Sequence, residues 1–570
     1  MRFQLLSIFF FLTTVLQAQI HHQLDVTINP ELSTIQVRDE ITLPEGKETS
    51  FFLNEDLLPK PITKGLSINK IAANQKAKDI GMDHDQGTSS LRLTEWHVAW
   101  QDRYPAAKTF VIEYSGKINA PMEQSENNYQ RGFSESPGII SQKGIYLAGS
   151  TYWVPIFGDA MMTFVMDVHL PKGWKSVSQG VRTKEENQGA MQLEQWSCDK
   201  LQEEAFLIGA QFSEYSFDAG NVKAMAFLRT PDEGLANKYL ETTAQYLEMY
   251  RQILGLYPYS KFALVENFWE TGYGMPSFTL LGEKIIRFPF IMHSSYPHEL
   301  LHNWWGNSVY VDFEKGNWCE GLTAYMADHL IKEQRGKGED YRRSTLQKFS
   351  DLVNTRNDFP LTDFRSRYDG PSEAIGYGKS LMMWHMLRRK FGDETFLRAM
   401  QKFYRSNKFK RASFDDIRLA FEAVTEQDLK PFFEQWVTRK GAPELVLEDT
   451  QVQKLLDGTY QVAISLRQKQ EEPAFVLDVP LAIVTQNGTL EFVREMKTKS
   501  QKFVFSTESE PMKVLVDPKF DLFRILDSKE VAPALTKAYG SPKTLILLPK
   551  GTPKGSAYDV FARSWVKEEP

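Results

Sequence analysis

Cysteine is nearly absent from this chain: Cys198 and Cys319 are the only two in 570 residues. They fall in different predicted domains, so no disulfide framework is implied, and Cys319 reads as a small buried residue rather than a nucleophile. An excess of charge of one sign is lacking too. With 67 basic and 73 acidic residues, a net charge of -6 and a pI near 6.0, nothing in the balance points to nucleic acid. After the first twenty residues no run has the length and apolarity of a membrane span. Tandem repeats and low-complexity tracts are not evident. What remains is an ordinary globular composition, 42% hydrophobic and 25% charged. It is spread over a length that calls for about two to four domains rather than one core.

The exception at the amino terminus is MRFQLLSIFFFLTTVLQAQI, where Arg2 precedes an apolar run over 5–16 and the small Ala18. This is the pattern of a cleaved secretory signal over 1–18, with an uncleaved anchor as the alternative. It sets the expected location outside the cytoplasm, periplasmic or secreted. From there to about residue 230, stretches 24–28, 35–41, 109–114 and 162–168 alternate apolar and polar residues between Pro, Gly and Asn turns. That period predicts strands and a β-rich amino-terminal domain over 19–232. The register then changes. Leu240, Ala244, Leu247, Tyr250 and Leu254 recur at helical spacing with Gly255 placed as a cap, predicting a helix over 236–254. A short buried strand is expected at 262–265. A glycine-rich turn beginning at Glu270 and a second strand ending at Leu281 should follow.

Histidine is scarce, ten in the whole chain, which makes its one pairing at a spacing of four informative. His298, Glu299 and His302 form H-E-x-x-H. On a helix, residues four apart share a face, so both imidazoles can reach one metal ion, a zinc geometry. By chance the motif is expected in roughly one such sequence in a hundred. A catalytic zinc takes three protein ligands and keeps a fourth position for water. Glu320, which opens a second amphipathic run toward Leu330, is the third candidate, chosen over Glu314 in the preceding loop. The flanks Asn303-Trp304-Trp305-Gly306-Asn307 and Trp318-Cys319-Glu320-Gly321 are aromatic, which predicts close packing rather than a solvated helix.

These flanks resemble the gluzincin metallopeptidases of the aminopeptidase N and leukotriene hydrolase family, whose pattern is H-E-x-x-H, then x-W-F-G-N and W-x-N-E-G. The family usually has 18 residues between the second His and the Glu, and here there are 17. The missing one falls in Trp318-Cys319-Glu320. The family's G-x-M-E-N turn, whose glutamate binds the substrate's free amino group, is replaced by Gly272-Tyr273-Gly274-Met275-Pro276-Ser277. An ammonium group in a partly dry site needs a carboxylate, and Pro276 has none. Either another acid, Glu266 or Glu270, takes over, or the enzyme does not select a free amino terminus. Gly274 and Met275 remain candidate substrate contacts, on a strand edge that could add an extended peptide to the sheet. Ile375-Gly376-Tyr377-Gly378-Lys379-Ser380 resembles the family's Y-x-K-G, which implies that Tyr377 donates to the oxyanion.

The resemblance implies a multidomain fold. A β-rich amino-terminal domain precedes a thermolysin-like, mostly α-helical (α+β) catalytic domain over 233–440, and a C-terminal β-sandwich follows over 441–527. Strand patterns at 445–447, 460–466, 481–484 and 514–516 support the last. Beyond it, 544–548 reads as a buried strand and 557–566 as a helix, together the start of a partial α/β unit in a tail over 528–570. The expected function is a zinc-dependent peptide-bond hydrolase, aminopeptidase-like, holding one Zn2+ per chain. His298, His302 and Glu320 would be its ligands, Glu299 the general base and Tyr377 the oxyanion donor. Its partner would be a peptide or small protein. The alternatives are an endopeptidase, a zinc hydrolase of a non-peptide substrate, and a non-catalytic peptide-binding protein. Oligomeric state is not legible.

Overall fold

The computed structural model describes residues 19–76, 91–101, 108–121, 136–535 and 545–567. The expected signal over 1–18 lies outside the described residues. The amino-terminal region is β-rich, as its alternation predicted. Its main sheet has seven strands in the order Val181–Gln188, Met191–Gln202, Met161–Pro171, Gln19–Asn29, Thr34–Thr42, Thr109–Lys117, Leu58–Pro61. Only the pairing of Gln19–Asn29 with Met161–Pro171 is parallel. In Thr34–Thr42 the side chains alternate buried and open, so Ile35, Val37 and Ile41 enter one core with Leu24, Val26, Phe164 and Trp196.

The next sheet positions the site. Its five strands run Ser213–Ala219, Val222–Leu228, Lys261–Asn267, Phe278–Gly282, Gly272–Met275. The third is buried along its whole length and parallel to both neighbours, as expected of a strand covered on two faces. The helix α1 (Glu233–Ile253) makes the crossover between the second and third strands. Asp232 caps its start through the Leu235 N–H, and Gly255 follows its end with φ 115°. Because residues 213–228 pair into this sheet, the boundary expected at 232/233 cuts through it, and the unit carrying the site begins near Ser213. The stretch expected as a glycine-rich turn is itself the edge strand, Gly272–Met275. The turn falls at Pro276-Ser277, where Ser277 adopts φ 70°.

The helical region then unfolds in order: α2 (Ser295–Leu301), α3 (Cys319–Thr323), α4 (Leu330–Gln334), α5 (Gly338–Leu352), α6 (Gly370–Glu373) and α7 (Ser380–Phe391). A π-helical turn, Ala324–His329, joins α3 to α4, and another, Ala374–Lys379, joins α6 to α7. Residues 445–516 form two three-stranded antiparallel sheets that face each other. Their inner residues Val462, Ile464, Leu481 and Phe503 share one continuous apolar core with the helices, so this sandwich is fused to the catalytic region rather than hung from it.

The tail departs from expectation. The helix forms over Ala557–Lys567, but 545–548 is not a strand, and Leu545 and Leu547 are each 83% exposed. A strand needs a neighbour to take its backbone groups, and among the described residues none pairs there. Among the described residues no helix is long and apolar enough to cross a membrane.

Candidate metal centre

Seven residues of α2 present the first half of the motif. Tyr296, Leu300 and Leu301 on its back enter the core, which turns His298, Glu299 and His302 the other way. His302 lies just past the helix end, but its N–H still bonds the His298 carbonyl at 3.2 Å, so the four-residue spacing stays helical. Trp304, Trp305 and Trp318 are fully buried, as the aromatic flanks predicted. Glu320 enters from α3, and ligand atoms of His298, His302 and Glu320 lie within 4.8 Å of one another.

Hydrogen bonding decides which imidazole nitrogens face inward. The His302 Nδ1 lies 3.1 Å from the Trp305 carbonyl, which can only accept, so that nitrogen carries the proton. The His298 Nδ1 lies 2.9 Å from the Asp328 carboxylate. Both Nε2 atoms therefore face Glu320, at 3.4 and 3.7 Å. These three residues could hold a metal ion, and both imidazoles have outer hydrogen-bond partners in place. The electrostatics ask for a cation. Burial works against charging His298, but Asp328 outweighs it, with Glu320 and Glu299 behind, and the imidazole is lifted to about 10. Burial would raise the Glu320 carboxyl, yet His302, then His298 and a hydrogen bond from the Tyr377 hydroxyl, hold it well below its ordinary range. Cys319 is buried with Sγ 3.4 Å from His302 Nδ1, and burial pushes its thiol well up, the opposite of a nucleophile.

Tyr377 sits in the second π-helical turn, its ring parallel to His298 with centroids 6.3 Å apart. Gly321 makes this approach possible, because a Cβ there would collide with Ser380 and the Gly376 carbonyl. The edge strand closes the other side. A Cβ on Gly274 would fall 2.8 Å from a Glu299 oxygen and 3.0 Å from His302, so this backbone lies against the Glu299 carboxylate as only glycine allows. The turn after it is tied to the end of α2 by the Ser277 N–H donating to Asn303 at 2.6 Å.

Three expected substrate contacts need correcting. The Met275 side chain is buried in the core with Phe278 and Leu280, so only its backbone edges the site. Glu266 is buried and accepts from Arg287 and from the Arg229 N–H, both at 2.7 Å. Glu270 accepts from the N–H groups of Lys284 and Ile285, at 3.0 and 3.4 Å. Both acids are committed to holding loops.

Two residues escaped the sequence reading. Asp328 stands eight positions after Glu320, a spacing that in an unbroken α-helix lies about 80° round from it. The π-helical turn absorbs one residue and returns Asp328 to the metal side. Arg367 comes from a loop, its guanidinium 5.5 Å from the Tyr377 ring centre. With Lys332, Lys348 and Glu373 it lines a cavity of about 370 Å³ that opens beside His298 and Tyr377.

The model of the peptidase family M1 domain matches residues 292–436, the stretch that holds His298, Glu299, His302, Glu320, Asp328, Arg367 and Tyr377 but not the edge strand. The chain is 25% identical over 198 residues to the mitochondrial aminopeptidase 2 of Saccharomyces cerevisiae, covering 34% of this chain and 21% of that protein. It is 21% identical over 355 residues to the leucyl aminopeptidase of Saccharolobus solfataricus, covering 58% and 45%. It thus spans less than half the length of these relatives. The solved M1 zinc metallopeptidase from Deinococcus radiodurans shares the fold, with a TM-score of 0.54 at 16% identity, covering 75% of this chain and 96% of that one.

Proposed function

We propose that this M1 domain makes the chain a zinc-dependent peptide-bond hydrolase of aminopeptidase type, with His298, His302 and Glu320 holding one ion. The observation that carries the reading is the convergence of both Nε2 atoms on the Glu320 carboxylate, with Glu299 one residue along the same helix as His298. Bound there, zinc supplies Lewis acidity toward a carbonyl and acidifies a water. Glu299 takes the proton from the attacking water and passes it to the departing amine. Gly274 keeps the base in a dry corner by letting the backbone press against it. Tyr377 exchanges its hydrogen bond to Glu320 for one to the developing oxyanion. The substrate lies along the edge strand Gly272–Met275 and crosses the metal, and its far end reaches the cavity walled by Arg367 and Asp328.

A second reading, cleavage without selection for a free amino terminus, is favoured by one finding: Pro276 stands in the hairpin, and Glu266 and Glu270 are both occupied. One peptide cleaved with and without an acetylated amino terminus separates the two. Aminopeptidase action requires the acetylated form to be inert, and equal rates establish endopeptidase action. The leader at 1–18 supports export from the cytoplasm; fractionation of cells producing the full chain tests it, and retention in the cytoplasm refutes it.

A further inference from the structure

Behind the metal cluster, and unused by the chemistry above, a buried polar chain joins the helices to the C-terminal sandwich. Asp521, in the segment after the strand Pro511–Val516, accepts from His385 Nε2 on α7 at 2.8 Å and from Arg342 on α5 at 2.9 Å. Arg342 also donates to the carbonyls of Lys519 and Phe520 at 2.8 and 3.1 Å, and to His329 Nε2 at 2.9 Å. The His385 Nδ1 lies 3.1 Å from the Tyr325 hydroxyl, which itself accepts from Arg388 at 3.4 Å.

The direction of every bond is fixed. Arginine has only donors, so His329 Nε2 accepts. The Asp521 carboxylate only accepts, so His385 Nε2 carries its proton and Nδ1 takes the one from Tyr325. Asp521 is itself held, its N–H donating to Asp517 at 2.7 Å while Asp517 pairs with Arg524 at 2.9 Å. Arg342, His329, His385 and Asp521 are all buried.

The other end of this chain falls on the π-helical turn. Tyr325 and His329 both belong to Ala324–His329, their rings stacked 5.0 Å apart, and Asp328 stands next to His329. A π-helical turn is a rare register that an unconstrained helix leaves for the α form. Doing so here would swing Asp328 away from His298. A buried polar network is no more stabilising than apolar packing, but it fixes one geometry.

We propose that Asp521 is a positioning residue for the metal centre. Through His385 and Arg342 it pins Tyr325 and His329, and so keeps the π-helical turn in the register that presents Asp328 to His298. The C-terminal sandwich is thereby a working part of the site. This rests on the zinc hydrolase reading.

The test compares the full-length protein with Asp521→Asn, which keeps the shape and removes the charge. Zinc affinity by chelator competition, the cobalt-substituted absorption spectrum, and kcat and KM are read together. Loss of a partner to a ligand histidine weakens metal binding by about 10- to 100-fold. Asp328→Asn should show that range, and Asp521→Asn, one step further out, roughly three- to tenfold, with a shifted cobalt spectrum, lower kcat and KM within about twofold. The double variant should bind zinc no more weakly than Asp328→Asn alone, because both act on one path. Phe523→Leu, at a ring packed 4.8 Å from Phe349 across the same domain contact, should lower Tm without moving zinc affinity. Should Asp521→Asn fail to fold, Tyr325→Phe cuts the chain at one hydroxyl and is expected to change the same readouts in the same direction. Unchanged zinc affinity and cobalt spectrum in the folded variant, or losses that add in the double variant, would overturn the proposal. Wild-type protein that takes up no stoichiometric zinc would sink the hydrolase reading first, whereas zinc-binding protein indifferent to Asp521→Asn sinks this inference alone.

Discussion

The two walls of the site are made of different material. On one, His298, Glu299, His302 and Glu320 act through side chains set at fixed spacings on helices whose backs are in the core. On the other, Gly272–Met275 presents backbone, and Gly274 matters for the atom it lacks. Side-chain chemistry leaves a mark in the sequence. Proximity of bare backbone leaves almost none, and an altered hairpin such as Gly-Tyr-Gly-Met-Pro-Ser shows which acid is gone but not what the remaining strand does.

Removal of the metal should break the contrast most sharply. A strong chelator is expected to bring peptide hydrolysis to background and added zinc to restore it, while hairpin variants keep their zinc throughout. Next in size, Tyr377→Phe should lower kcat by about 10²- to 10³-fold with KM little changed, the cost of one oxyanion donor. A KM effect of that size with kcat intact would move Tyr377 to the binding side. Gly274→Ala brings a methyl group to 2.8 Å from the Glu299 oxygen and should cost about tenfold to a hundredfold in kcat/KM through a misplaced base, with zinc content unchanged by elemental analysis. The smallest effect is expected from Glu266→Gln. It breaks the pair with Arg287, whose side chain is 37% exposed, and should cost about 1 to 2 kcal/mol of stability after allowance for that exposure. Steady-state constants should stay within about twofold. A selective rise in KM for peptides with a free amino terminus would make Glu266 the ammonium acceptor instead.

The strands of the amino-terminal sheet, α1, the two sandwich sheets and the convergence of His298, His302 and Glu320 were legible in the sequence, because each rests on a period or a spacing. Asp328 was not, for a physical reason. Eight residues after Glu320 lies about 80° off its face on an α-helix, and a π-helical turn, which has no sequence period of its own, brings it round. Arg367 comes from a loop, where no period operates. The boundary near Ser213 was hidden because strands 213–228 look the same in either sheet. The apolar run 544–548 reads as a strand, yet what forms a strand is a pairing partner, and a local pattern cannot report one.

In the proposed hydrolase Glu299 moves a proton and does not hold the metal. Purified Glu299→Gln protein, assayed for bound zinc and for peptide hydrolysis in the same sample, tests it directly. Wild-type zinc content is expected, with turnover lowered by about 10²- to 10⁴-fold, the range of a lost general base. Zinc lost along with activity, or turnover kept near the wild-type rate, would contradict it.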